Sequence, residues 1–178
     1  MLTDEEANRI FLWEPYRENW TVTRNRDSIN AYYGEFINDL NKSLLFDTYN
    51  SKDEGLSNYL EFICFPKGFR IYEGNAIIIC VSLCAPISAY GQTSFIKYGS
   101  STFSYDGLFT ADKIGDITDI SLASIENEVK SILLRHNLLL LTKEFVSRQL
   151  PDEIVKALKN ENHNEGDQYL NGVFQTTD

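Results

Sequence analysis

Three cysteines (Cys64, Cys80, Cys84), two histidines (His136, His163) and a run of aspartates (Asp106, Asp112, Asp116, Asp119) are the side chains of this 178-residue chain that could carry chemistry. A nucleophilic thiol needs an adjacent base to take its proton, and only the two histidines offer one. His136 continues the apolar stripe of Val129, Ile132 and Leu133, the place of a partly buried or helix-terminal group, and His163 lies in the polar stretch "NENHNEGDQ". Zinc would need three or four convergent ligands, and the cysteine spacing lacks the close Cys-x-x-Cys pairing of structural sites. The thiols therefore read as small buried hydrophobes.

The aspartates could meet a divalent cation through carboxylate oxygens, but their spacing departs from the alternating Asp/Asn positions and closing Glu of an EF-hand. They read as a solvated loop whose last member, Asp119, caps a helix. Glu126 and Glu128, two apart on that helix, do not share a face and make poor partners for paired-carboxylate catalysis. No GxGxxG, GxxxxGK[ST], HExxH or GxSxG motif occurs. The expectation is a non-enzymatic protein with no catalytic, cofactor-binding or metal-ligating residue and no cofactor. A rival reading, a small Cys- or metal-dependent hydrolase, has Cys64, Cys84, His136 and the Asp106-to-Asp119 loop as its material.

What positions these groups is legible from periodicity. In "EGNAIIICVSLCAPISAYGQTSFIK", residues 73–97, no charge stands between Glu73 and Lys97. A spanning helix needs about 20 mostly apolar residues, and here the apolar core ends near Ile87 after roughly a dozen. Ile77, Ile78, Ile79 and Val81 are β-branched and stiff, so residues 76–88 are expected to form a central strand covered on both faces. In one strand Cys80 and Cys84 would share a face about 13 Å apart, too far to chelate one ion. "YLEFICF" and "FRIYE", separated by Pro66, Lys67 and Gly68, read as a hairpin. Further breaks at Gly74-Asn75 and Gly91-Gln92 lead to a fourth strand in "TSFIKYGSSTFSY". Short connections of this kind imply an antiparallel meander.

Two amphipathic helices frame the strands. One begins at Asp27 or Ser28 and follows Ile29, Tyr32, Tyr33, Phe36, Ile37, Leu40 and Leu44; the other, capped by Asp119 or Ser121, follows Leu122, Ile125, Val129, Ile132 and Leu133 and stops at Asn137. Residues 47–58 and 106–118 read as loops. "LLLL" at 138–141 fits a helical extension or a short strand, and Pro151 suits the first turn of a helix over "PDEIVKALK". The fold class is α+β: an antiparallel meander of about four to five strands with the two main helices on one face. Residues 1–178 are taken as a single domain, with 1–26 packed on it, including an edge strand at "WTVTR". The tail 160–178 is expected to be partly mobile, although Tyr169, Leu170, Val173 and Phe174 could dock a last turn.

Asp and Glu total 26 against 16 Lys and Arg, a net charge of -10. The average field repels phosphate and anionic lipid, so neither nucleic acid nor a membrane is an expected partner, whereas a basic protein would be steered in. Three cysteines and an acidic start, "MLTDEE", point to reduced thiols in a cytoplasmic protein. Ten Tyr and eleven Phe include tyrosines at 49, 59, 72, 90, 98 and 105, expected on or beside the sheet. They line a two-layer core with hydroxyls at its margins, or anchor a protein interface ringed by carboxylates.

The first helix, the strand pair "FRIYEGNAIIICVSLCAPIS", a late helix followed by "LLLL", and the terminal "LNGVF" together resemble the small acidic immunity proteins of bacterial polymorphic toxin systems. The pattern covers about two thirds of the chain. The resemblance implies a non-catalytic cytoplasmic protein that binds one cognate toxin domain and blocks its active site or substrate entry. It transfers no functional residue. A third reading is an accessory subunit of a phage or secretion assembly.

Overall fold

The computed structural model describes residues 2–23, 25–50, 57–99, 102–106, 110–160 and 168–175. Strands β1 (Phe46–Asn50), β2 (Tyr59–Pro66), β3 (Ile71–Ser82), β4 (Ile87–Tyr98) and β5 (Thr102–Tyr105) follow one another across an antiparallel meander. The two-residue β6 (Leu139–Leu140), formed by the leucine run, lies parallel to the start of β4, with Leu139 beside Ile87. The helices are α1 (Asp4–Phe11), α2 (Arg26–Asn41), α3 (Ala123–Arg135), α4 (Lys143–Val146), α5 (Asp152–Asn160) and α6 (Tyr169–Val173). Among the described residues no helix is long and apolar enough to cross a membrane.

The unbroken apolar run of β3 requires cover on both faces, and receives it. On one face α2 and α3 set Tyr33, Phe36, Leu40, Val129 and Leu133 against Phe62, Cys64, Ile77, Ile79 and Val81. On the other, Ile10, Phe11, Phe145, Val146, Leu170 and Phe174 cover Ile63, Ile78, Cys80 and Phe95. The two main helices thus share a face as expected, and the chain's ends supply a second helical layer.

The turns differ from those read in the sequence. Gly74-Asn75 is no break: β3 runs straight through it, and Gly74 makes room for the Tyr72 phenol, which would stand 3.0 Å from a Cβ there. Gly91 likewise lies inside β4, opposite Ile78. The reversal comes at residues 83–86, so Cys80 is in β3 and Cys84 in the following turn. The single strand expected over 76–88 is therefore corrected to two strands and their connection. Three consecutive carbonyls of this apolar turn find donors in distant aromatics: Tyr33 Oη to Ser82 O at 2.7 Å, Trp20 Nε1 to Leu83 O at 2.8 Å, and the Tyr16 amide to Cys84 O at 3.0 Å. Those bonds satisfy groups that burial would otherwise leave costly.

Elsewhere "DTYN" forms part of β1 rather than a loop, while 51–56 lie outside the described residues. Residues 20–23 are irregular rather than an edge strand, and the N-terminal segment instead contains α1, opened by a Thr3–Glu6 capping box. The cap of α2 is Asn25, whose side chain accepts from the Ser28 amide at 2.9 Å, and Leu44 lies beyond that helix. Asn137 does terminate α3, in the left-handed conformation (φ 54°). Pro151 precedes α5, and α6 docks Tyr169, Leu170, Val173 and Phe174 in the core. The mobility expected of the tail falls largely on 161–167 and 176–178, outside the described residues.

Two features hold the ends down. After α1, Trp13 takes a left-handed φ of 61° while Glu14 N bonds Arg9 O and Trp13 N bonds Ile10 O. This is the helix stop that usually takes glycine; for a bulky residue it costs roughly 1–2 kcal/mol. Trp13 offsets that cost by donating from Nε1 to Gln175 Oε1 at 2.6 Å. Gln175, fully buried, also donates to Phe11 O and exchanges bonds with Asn58 at the start of β2.

The sheet is curled. In a flat five-stranded sheet β1 and β5 would stand about 19 Å apart, yet the rings of Tyr49 and Phe103 stack at 4.0 Å. Gly74, Ala76, Ala89 and Gly91, small residues on paired strands, allow the bend. Gly172, in α6, lies in close contact with α1 and the segment before α5: a Cβ would meet Phe11 Cδ1 at 2.5 Å and Leu150 Cδ2 at 2.8 Å. Gly172→Ala should therefore destabilise by about 1–3 kcal/mol, against the roughly 1 kcal/mol gain that Ala brings to an ordinary helical site. A denaturation midpoint unchanged or raised would show that α6 does not pack this way.

Candidate protein-binding surface

The groups picked out for chemistry do not converge. Cys64 lies under α2 and α3, whereas Cys80 and Cys84 lie under the opposite layer, and all three are buried. Burial pushes the Cys64 thiol well above the usual range, against a smaller opposing effect of the Thr48 hydroxyl. His136 closes α3, and its Nε2 sits 3.0 Å from Asp39 Oδ2, which Arg135 Nη1 also approaches at 2.9 Å. Contact with His136 and then Arg135 holds the Asp39 carboxyl below its ordinary value. His163 lies outside the described residues. Among the described residues no three His, Cys, Asp or Glu side chains gather where a metal could bind.

The sequence reading passed over Glu61. It points into the curled face of the sheet, 1% exposed, and accepts from Tyr105 Oη at 2.9 Å while Cys80 Sγ lies 4.0 Å from its other oxygen. Burial, with Cys80, Glu61 and Tyr105 as lesser contributors, pushes the neighbouring Tyr59 phenol far above its usual range. The Glu61–Tyr105 bond clamps β5 onto β2 across the curl. A lone charge inside the apolar run "YLEFICF" was the available signal.

The described part of the aspartate loop is exposed and yet tied down at several points. β4 pairs with β5 through residues 95–98 and with β6 through residues 87–88; the loop occupies the interval. Ala111 and Ile114 enter one core and Ile117 packs on the other. Gly115, at φ 68°, donates to Tyr90 O at 2.9 Å, a conformation that favours glycine. Gln92 Oε1 accepts from the amides of Thr118 (2.9 Å) and Asp119 (3.0 Å), and Asn75 Nδ2 donates to Asp119 Oδ2 at 2.8 Å. Asp119 Oδ1 receives the Ser121 amide at 2.9 Å and opens the short 3-10 turn Ile120–Leu122 that leads into α3. Asp106 accepts from the Ser94 hydroxyl.

Held this way, the loop presents Asp112 and Asp116 to solvent together with Ile120, which is 90% exposed. Asp119 is kept acidic chiefly by the Ser121 hydroxyl, then by Asn75 and the Ser121 amide; Asp112 is kept acidic chiefly by Thr110. Both are ionised near neutrality. At its margin Glu126 is engaged by Lys130 (2.7 Å) and by Tyr90 Oη (2.9 Å), whereas Glu128 accepts from Ser43, confirming that the two glutamates face different ways. The six singled-out tyrosines all lie in strands. No protein-family model, curated protein or solved structure matches the chain, so function must be argued from this surface.

Two outcomes follow from burial and charge. The three thiols should resist a water-soluble disulfide reagent in the folded protein and react together only in denaturant; one fast-reacting thiol in the native state would contradict their placement. Because its native pKa is depressed, Asp119 should hold the loop above the ordinary aspartate value of about 3.9 and release it as pH falls below that value. The Ser121 amide resonance should report a midpoint below the ordinary aspartate value, and Asp119→Asn should abolish the titration.

Proposed function

We propose that the chain is a non-catalytic, cytoplasmic protein-binding domain, and that it acts as an immunity protein, neutralising a basic toxin domain by one-to-one binding. The observation that carries the reading is the stapled loop, which exposes Asp116 and Ile120 together with Asp112, held acidic by Thr110. Binding residues commonly sit on loops fixed by a rigid scaffold, and bonds from Gln92, Asn75 and Tyr90 O remove much of the ordering cost that a floppy acidic loop would meet on docking. Exposed carboxylates and an exposed apolar side chain on one loop, with Lys113 as the cation between the two aspartates, suit a partner with Lys and Arg near a pocket: the charges speed encounter and the buried side chain slows release. The net charge of -10 adds long-range attraction of the same sign.

The purified 178-residue chain should capture a basic partner from its native host at one-to-one stoichiometry. Asp112→Lys with Asp116→Lys should slow association by about tenfold at low salt and less at high salt. Ile120→Asp should instead accelerate dissociation, by roughly a hundredfold for a hot-spot residue. Absence of any stoichiometric partner, or capture indifferent to all three substitutions, would defeat the reading.

A further inference from the structure

The net charge hides a separation along the sheet. At the end marked by the β2–β3 turn, two loops meet: the Lys67 amide bonds Leu45 O at 3.1 Å, the Lys67 ammonium reaches Ser43 O, and Gly68 N reaches Asp47 Oδ2 at 3.2 Å. Just behind them Ile71 pairs with Tyr98. Leu44 at the first tip is 86% exposed, Phe69 at the second 50%, and Ile71 63%. Lys42, Lys67 and Arg70 are exposed among them, with Lys97 close behind over the Phe65 ring. Among the described residues the carboxylates here are Asp47, already bonded to Gly68 N, Glu128, already bonded to the Ser43 hydroxyl, and Glu73. In an acidic chain this end is locally cationic and apolar.

Its shape decides between partners. Hot spots of protein interfaces fill desolvated pockets, but these side chains stand on turn tips, and the neighbouring depression of about 410 Å³ between β1 and β5 is lined by Asp47, Tyr49, Phe65 and Phe103, not by Leu44, Phe69 or Ile71. Protruding aliphatic and aromatic tips flanked by Lys and Arg suit an interface with apolar depth beneath anionic headgroups. The repulsion expected from the whole-chain charge is weakened at this end. The acidic loop is anchored at Asn75, four residues along β3 from Ile71, about 13 Å away and beyond the Debye length of about 8 Å at physiological salt, so its charge is partly screened from a surface touching the tips.

We propose that this end of the sheet docks peripherally on an anionic lipid surface, Leu44, Phe69 and Ile71 entering the headgroup boundary and Lys42, Lys67 and Arg70 meeting phosphates. The inference is independent of the stapled loop and of its partner. Vesicles of phosphatidylcholine, with and without phosphatidylserine, test it by co-sedimentation of the full chain. Binding should appear only with phosphatidylserine and weaken with salt. Lys42→Glu with Arg70→Glu should cost at least about 25-fold in partitioning, roughly fivefold for each cation lost. Phe69→Ser with Ile71→Ser should also release the protein, and circular dichroism should confirm that both variants remain folded. Ile120→Asp should bind vesicles normally, which separates this result from the fate of the proposed function. No binding to phosphatidylserine vesicles at low salt overturns the proposal. So does binding that survives both double substitutions, or a concentration-dependent oligomer that the same substitutions dissolve without any vesicle binding.

Discussion

The structure depends on keeping water away from both sides of β3. From Ala76 to Val81 every side chain is apolar and fully buried, so a one-residue slip in register would exchange one dry face for another and cost little by polarity alone. Register is therefore set at the ends. Ser82, Leu83 and Cys84 offer their carbonyls to Tyr33, Trp20 and Tyr16, three donors fixed on elements that cannot shift by a residue without losing all three bonds. At the other end the β2–β3 turn is tied to the loop after α2. The long N-terminal segment, with its surplus of aromatics, is in this sense the lock on the central hairpin.

A sheet dry on both faces needs two helical layers, and among the described residues there are only two long helices. Short pieces make up the second layer: α1, α4, α5 and α6, each too brief to be stable alone. Their cohesion comes from close approach, as at Gly172 against Phe11, and from buried amides, as where Gln175 joins α1, α6 and β2. The left-handed Trp13 belongs to the same arrangement. A glycine would take that backbone conformation more cheaply, but only the indole supplies the bond to Gln175, so local strain is exchanged for closure between chain ends.

Much of this architecture was legible because hydrophobic period is a strong signal for long elements. α2, α3, the apolar central strand, the Pro66–Gly68 turn and the docking of the last turn all appear in the pattern of residues. The misplaced turns share one cause. Gly74-Asn75 and Gly91-Gln92 have turn chemistry, but in a strongly curled sheet small residues are also needed in strand interiors, and composition alone cannot separate the two uses. β1 was hidden because "FDTYN" is an edge strand with one half-exposed face, and α1 because eight residues carry too little period. On the candidate surface, the aspartates and the cap at Asp119 could be read directly. Gln92 and Asn75 could not, since both are strand residues whose side chains reach the loop only after the fold has formed. Glu61 was visible as an anomaly, but its partner Tyr105 lies 44 positions away.

The same separation of scales governs the electrostatics. A total of -10 treats the molecule as a point, whereas over the roughly 13 Å of β3 between Ile71 and Asn75 the solvent already screens one district partly from the other. Carboxylates gather on the loop beside β4, and cations gather where α2 ends and β2 turns into β3. The two districts have different supports: the acidic one is stapled by side-chain bonds to strand interiors, and the basic one rides on turn tips whose apolar side chains stay largely exposed, Phe69 meeting only the edge of Tyr72 among the described rings. A rigid loop favours recognition of one shaped partner, while protruding tips of mixed aliphatic and cationic character tolerate a fluid surface. The two proposed contacts would thus use separate parts of one sheet, and neither would require the other to move.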